Sequence, residues 1–161
     1  MAKTVYITTP LYYVNAAPHI GHSYTNIAAD CLARYYRLKG AEVFLLTGTD
    51  EHGQKIAQAA EAVGQTPQQF VDQMVGHFTA LWTLLTISHD DFIRTTQPRH
   101  VTAVQAILTK LHRDGRLTRA SYRGWYCTPD ETFWTEAELA QPSSSVEAPV
   151  CPECQRPLEP V

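Results

Sequence analysis

The chain has 161 residues, 44% of them hydrophobic, enough for one domain with a substantial core, or one domain with part of another. A formal charge of −3 gives no global attraction to nucleic acid or to an anionic membrane, so any such contact must be local. The first residues lack the apolar run of a signal peptide and no stretch is long enough to span a bilayer, so the expected compartment is the cytoplasm.

Thr4–Thr9 is β-branched and aromatic and predicts a strand, which Pro10 ends. Tyr24, Ile27, Ala28, Cys31, Leu32, Tyr35 and Leu38 recur at helical spacing, and Gly40 closes that helix. Glu42–Thr47 carries a continuous apolar run, as expected of a buried parallel strand. Strand, helix and strand make a βαβ unit with a right-handed crossover. Gly48-Thr-Asp-Glu-His-Gly53 is a polar loop at the carboxyl end of the second strand, the edge where open α/β sheets bind ligands.

A helix from Gln54 to about Val63 follows. Thr66 and Pro67 cap the next one, with Phe70, Val71, Met74, Phe78, Leu81, Trp82 and Leu85 on one stripe. His89, Asp90 and Asp91 sit in a loop, and Pro98 starts a helix carrying Val101, Val104, Ile107, Leu108 and Leu111, which Gly115 ends. From Leu117 the pattern changes: Tyr122, Trp125, Tyr126, Phe133 and Trp134 alternate with glycine, proline and charge, and Ser143–Ser145 marks a loop. A boundary is expected near residue 115, giving units 1–115 and 116–161.

Pro18-His19-Ile20-Gly21-His22 carries the most information. It follows the first strand and opens the first helix, where unpaired backbone N–H groups and the helix dipole attract phosphate. The imidazoles of His19 and His22 add donors, and Gly21 has no Cβ to block a ring or a phosphate. Fixed donors aimed at charge growing on an α-phosphate and on leaving pyrophosphate each matter by ~10²–10³ in rate. Neither G-x-x-x-x-G-K-[ST] nor G-x-G-x-x-G occurs, which removes P-loop and dinucleotide fingerprints. Asp50, in the loop after the second strand, suits an amine or a ribose; Leu11, Tyr12 and Tyr13 suit an apolar side chain or the core.

Cysteines Cys31, Cys127, Cys151 and Cys154 are too few and too unevenly placed for a disulfide scaffold. Cys151-Pro-Glu-Cys154 is half of a tetrahedral zinc site, and Cys127-Thr-Pro-Asp130 repeats its spacing with a carboxylate in the second place. Three sulfurs and Asp130 could hold one structural Zn²⁺; a degenerate knuckle without metal is the alternative. Cys31, on the apolar helix stripe, is expected to be a small core residue.

Residues Tyr6–Asn15, Pro18–His22 and Phe44–Gly53, with Asp91–Thr96 and Gly124–Cys127, resemble the start of the bacterial methionyl-tRNA synthetase family of class I. The resemblance covers essentially the whole chain. It implies the first half of a Rossmann-like parallel-sheet catalytic domain, then the start of a small connective insert. It also implies activation of methionine by ATP, with Mg²⁺, to methionyl-adenylate, and transfer to tRNA(Met). On that resemblance His19 and His22 contact ATP and stabilise the transition state, and Gly21 lies against adenine. Leu11 and Tyr13 line the methionine pocket, and Asp50 holds the substrate ammonium. The chain departs from the family's pattern at Asp130, where a cysteine is usual. It also lacks the lysine loop and the anticodon-binding domain, so a fragment without aminoacylation activity of its own is expected. Rival readings are another class I synthetase or nucleotidyltransferase with the same histidines, and a non-catalytic zinc-knuckle RNA-binding module. The latter is disfavoured by the absence of a Lys/Arg cluster around the cysteines.

Overall fold

The computed structural model describes residues 3–139 and 149–161. It forms two compact units, Met1–Thr109 and Lys110–Val161. The expected Ser143–Ser145 loop lies outside the described residues.

The first unit is built on a parallel sheet. Strand β1 (Thr4–Thr8) is followed by β2 (Tyr12–Tyr13), helix α1 (Ile20–Leu38), strand β3 (Glu42–Asp50), helices α2 (Gln54–Ala62) and α3 (Pro67–Leu84), strand β4 (Asp91–Arg94) and helix α4 (Pro98–Arg113). Leu46 of β3 pairs with Thr8 on one side and Asp91 on the other, and Thr49 pairs with Tyr12 and Arg94. Strands β1 and β2 therefore share one edge of β3, and β4 takes the other. Between Thr8 and Tyr12 the chain uses one more residue than β3 does, a bulge at Pro10, which has no N–H to donate.

Two short strands escape the sequence reading. Strand β2 is too brief to show alternation, and β4 falls where a loop is predicted around His89–Asp91. The loop predicted from Gly48 instead continues β3 to Asp50. Gly48 permits this: a Cβ there would lie 1.9 Å from the Ile93 carbonyl oxygen, so only glycine lets β4 pair at this point.

The core joins Tyr12, Val14, Ile56, Ala60, Phe70, Val71, Val75, Phe78, Trp82 and Ile87, which places α2 and α3 beside β2. The stripe predicted on α3 is thus largely buried. The stripe on α1 is not: Tyr24, Ile27, Leu32, Tyr35 and Leu38 are exposed, and the buried positions are Asn26, Asp30 and Ala33. Cys31 is likewise exposed and is not a core residue. Asp30 explains the inversion. It accepts from the Ser88 amide and hydroxyl and from Arg34, which fastens the polar side of α1 inward. Burial pushes the Asp30 carboxyl up, but these bonds outweigh it and hold it below its usual range. One sheet face is also open, with Tyr6 and Phe44 exposed, and no residue of α4 is buried.

In the second unit, strand β5 (Trp125–Cys127) pairs antiparallel with β6 (Thr132–Trp134) and with β7 (Glu159–Pro160). Its small core is Cys127, Cys151 and Leu158, with Trp125, Trp134, Leu139 and Cys154 packed against it.

Candidate functional site

Helix α1 begins in an unusual way. His19 is the N-cap, and its Nδ1 accepts from the Gly21 amide at 3.1 Å. The His22 Nδ1 in turn accepts from the His19 amide at 3.0 Å. The two histidines form a reciprocal capping box, a task usually given to a hydroxyl and a carboxamide or carboxylate. With each Nδ1 occupied as an acceptor, the proton of each neutral ring sits on Nε2. Both rings thereby offer an N–H donor on the side away from the backbone. The rings stack with centroids 3.9 Å apart.

The His22 ring also meets Tyr12 edge-on at 5.0 Å and Phe78 at 5.3 Å. Burial, and then the neighbouring His19, hold its imidazole below the ordinary value, which favours the neutral form. Gly21 leaves room for the capping ring: a Cβ would stand 2.9 Å from Cε1 and 3.0 Å from Nδ1 of His19 and would push the ring from this position. This adds a reason for the glycine that spacing alone does not reveal.

Tyr12 links these histidines to the sheet. It pairs with Thr49, and Tyr13 pairs with Asp50, so the histidine motif and Asp50 flank the carboxyl ends of β2 and β3. Tyr13 donates its hydroxyl to the His52 carbonyl at 2.8 Å. Leu11 is exposed just before β2. The Asp50 carboxylate makes no hydrogen bond or ion pair among the described residues. An unpaired anion and two outward N–H donors at one sheet edge can receive an ammonium and an anionic phosphate respectively.

Beside Asp50 stands Glu51, which the sequence reading passed over. Its side chain is fully buried and ion-paired to Arg94 of β4. Arg94 also reaches Asp72 of α3 at 2.5 Å. That contact holds the Asp72 carboxyl below its usual range, while the Glu51 bond chiefly raises Arg94. Strand alternation was the available signal. Asp50 and Glu51 must face opposite ways, and a carboxylate turned inward needs a cation from the adjacent strand.

The second unit gathers Cys127, Asp130, Cys151 and Cys154, whose ligand atoms all lie within 4.8 Å of one another. Cys127 Sγ is 3.3 Å and Cys151 Sγ 3.2 Å from Asp130 Oδ2, and Cys127 Sγ is 3.5 Å from Cys154 Sγ. Tetrahedral zinc with sulfur and oxygen ligands has edges of about 3.5–3.8 Å, so the four residues fit the ion. The two turns match each other. Glu131 and Gln155, each one residue past the second ligand position, both adopt left-handed backbone with φ of 53° and 60°. Asp130 thus occupies the place that Cys154 occupies in its own turn. Without metal, burial pushes the Cys127 thiol up to about 12, so it stays protonated near neutrality.

The arginines before β5 differ from those of the first unit. Arg34, Arg37, Arg94 and Arg99 of the first unit are all ion-paired. Arg113, Arg116, Arg119 and Arg123 are exposed and make no ion pair among the described residues. Exposed Tyr122 and Phe133 stack edge-on nearby in the second unit, with centroids 5.1 Å apart. These arginines precede the cysteine turns rather than surrounding them. Among the described residues no helix is long and apolar enough to cross a membrane.

Residues 5–161 match the family described as "tRNA synthetases class I (M)". A methionine–tRNA ligase of Thermotoga maritima is 51% identical over 154 residues, which are 96% of this chain and 24% of that protein. One of Bacillus subtilis is 53% identical over 137 residues, 85% of this chain and 21% of that protein. The chain therefore spans about a quarter of the length of the curated relatives it matches. A solved structure of Mycobacterium tuberculosis methionyl-tRNA synthetase, in complex with methionyl-adenylate, superimposes with a TM-score of 0.88 at 38% identity. It covers 99% of this chain and 31% of that one. A leucyl enzyme of Agrobacterium radiobacter K84 shares the fold, with a TM-score of 0.77 at 20% identity.

Proposed function

This chain belongs to the class I (M) tRNA synthetases, and from that premise we propose that it contributes the histidine half of a methionine-activating site. The observation that carries this is the reciprocal His19–His22 capping box, which turns two Nε2–H donors outward at a helix N-terminus beside an unpaired Asp50. In the reaction, the methionine carboxylate attacks the α-phosphate of ATP, supplied with Mg²⁺, and pyrophosphate leaves. His19 and His22 donate to the phosphate oxygens that gain charge, a task that needs no proton transfer. Gly21 leaves the helix terminus open to adenine. Asp50 holds the methionine ammonium, and Leu11 and Tyr13 border its side chain. The methionyl group then passes to tRNA(Met), and the cytoplasm is its compartment.

We place residues 1–115 in the amino-terminal half of the catalytic domain and 116–161 in a connective insert. The open sheet face and the exposed α1 stripe support a half-domain. Cys127, Asp130, Cys151 and Cys154 would hold one Zn²⁺, which ties the two turns together and leaves no position for substrate. The unpaired arginines 113, 116, 119 and 123 support a local contact with RNA. Aminoacylation with radiolabelled methionine, using full-length protein that carries this chain, tests the reading. Charging of tRNA(Met) is expected, and failure with active, folded protein would overturn it.

A further inference from the structure

Glu51 and Asp50 are consecutive carboxylates with opposite fates. Asp50 has no partner among the described residues, whereas every acceptor direction of Glu51 is used. Its Oε1 accepts from the Thr49 hydroxyl at 2.6 Å and from Arg94 Nε at 2.7 Å. Its Oε2 accepts from Arg94 Nη2 at 2.9 Å and from the Thr96 hydroxyl at 2.5 Å. The Glu51 amide donates to the Thr95 hydroxyl at 2.8 Å. Arg94 continues the chain of contacts to Asp72 on α3. One residue on, the His52 carbonyl holds the Tyr13 hydroxyl, and the His52 ring lies 3.4 Å from the Thr95 carbonyl.

Stability alone does not account for this arrangement, because a buried ion pair is often matched or bettered by apolar residues of equal volume. What a fully bonded buried carboxylate does supply is direction. The bidentate fork of Arg94 admits only one orientation of the Glu51 plane, and the Thr49 and Thr96 hydroxyls remove the remaining freedom. The backbone at residues 49–52 is thereby fixed from both adjacent segments, where the end of a strand would otherwise fray.

We propose that Glu51, clamped by Arg94, is a positioning residue that holds the Asp50 carboxylate and the His52 carbonyl in register for the amino-acid substrate. This rests on the reading of Asp50 as the ammonium partner. A carboxylate displaced by about 1 Å from a bound ammonium loses much of its worth, and misplacement of that size costs on the order of 10²-fold in well-organised sites. ATP, approached from the α1 terminus, does not depend on this clamp.

Pyrophosphate exchange in the full-length enzyme tests the proposal with Glu51→Gln, Arg94→Ala and Arg94→Lys, beside Asp50→Asn as reference. For Glu51→Gln and Arg94→Ala the expected result is a methionine KM raised on the order of tenfold, with the ATP KM changed less than about twofold. Arg94→Lys keeps the charge without the fork and should recover only part of the loss. Competition by 4-(methylthio)butanoate, which lacks the amino group, gives a second readout. Preference for methionine over it should shrink in the clamp variants as it does in Asp50→Asn. If Asp50→Asn raises the methionine KM while the clamp variants move both KM values equally, or move only the melting temperature, the positioning role is overturned and Asp50 keeps its own. If Asp50→Asn leaves methionine binding unchanged, both fall.

Discussion

Substituting His19 separates the cap its ring makes from the phosphate contact proposed for it. The Nδ1 caps α1 through the Gly21 amide at 3.1 Å, and the Nε2–H is the donor proposed for phosphate. His19→Ala removes both. Loss of a side-chain N-cap costs about 1 kcal/mol, within a range of roughly 0.5–2. His19 is exposed, so little apolar burial is lost with it. At that cost the melting temperature should fall, by less than the ~4–8 °C of a 60–100-residue domain because the full-length enzyme is longer. The rate of adenylate formation should fall on the order of 10²–10³, as for one oxyanion donor. Asparagine is among the best N-cap residues, and its Oδ1 can take the place of Nδ1 at the Gly21 amide. Its short amide does not reach where the Nε2–H points. His19→Asn should therefore restore most of the melting temperature and little of the rate. Thermal denaturation and pre-steady-state adenylate formation in the full-length enzyme would read the two effects separately. If His19→Asn recovers the rate along with stability, the ring is only a cap and the phosphate argument is wrong.

The remaining predictions follow from other parts of the structure. Gly48→Ala puts a methyl group 1.9 Å from the Ile93 carbonyl oxygen, so urea unfolding should show a loss of at least the ~1–3 kcal/mol typical of overpacking. The His22 imidazole titrates lower folded than unfolded, so the unfolded chain binds the proton more readily. Its contribution is present above the unfolded value of about 6.5 and is lost as pH falls toward the lowered folded value; His22→Gln should flatten that acid slope in denaturation curves. Cys151→Ser, or a chelator, should lower the melting temperature of the second unit and release about one zinc per chain by atomic absorption. A metal-free protein whose melting ignores the substitution would mark the knuckle as vestigial. Removing the charges of Arg116, Arg119 and Arg123 together should reduce the slope of log affinity for tRNA against log salt by up to about three, less if some contacts are lost to solvent. An unchanged slope would take RNA away from this segment.

Much of the first unit was legible because its signals are local. Thr66 and Pro67 announce α3, and Phe70 through Trp82 give its buried stripe. The histidine motif marks the helix terminus because capping and phosphate binding draw on the same unpaired N–H groups. Strand β4 was not legible, since Asp91–Arg94 owes its conformation to Gly48 on another strand rather than to its own composition. The α1 stripe misled for a related reason: periodicity shows that a face is apolar, not whether the described chain covers it. Glu51 stayed hidden because its partner is 43 residues away, and only strand pairing brings Arg94 to it. The grouping of Cys127, Asp130, Cys151 and Cys154 was readable from spacing alone. The structure adds the paired left-handed turns, which put Asp130 where a cysteine would stand.

The central claim is that this site activates methionine, and amino-acid-dependent ATP–pyrophosphate exchange tests it most directly. Full-length protein carrying this chain would be assayed with methionine, leucine, isoleucine and valine in turn. Exchange driven by methionine alone is the result expected if the paired histidines and Asp50 activate the amino acid that Leu11 and Tyr13 select. Exchange with a different amino acid would keep the phosphate site and refute the pocket, and silence with all four would refute both.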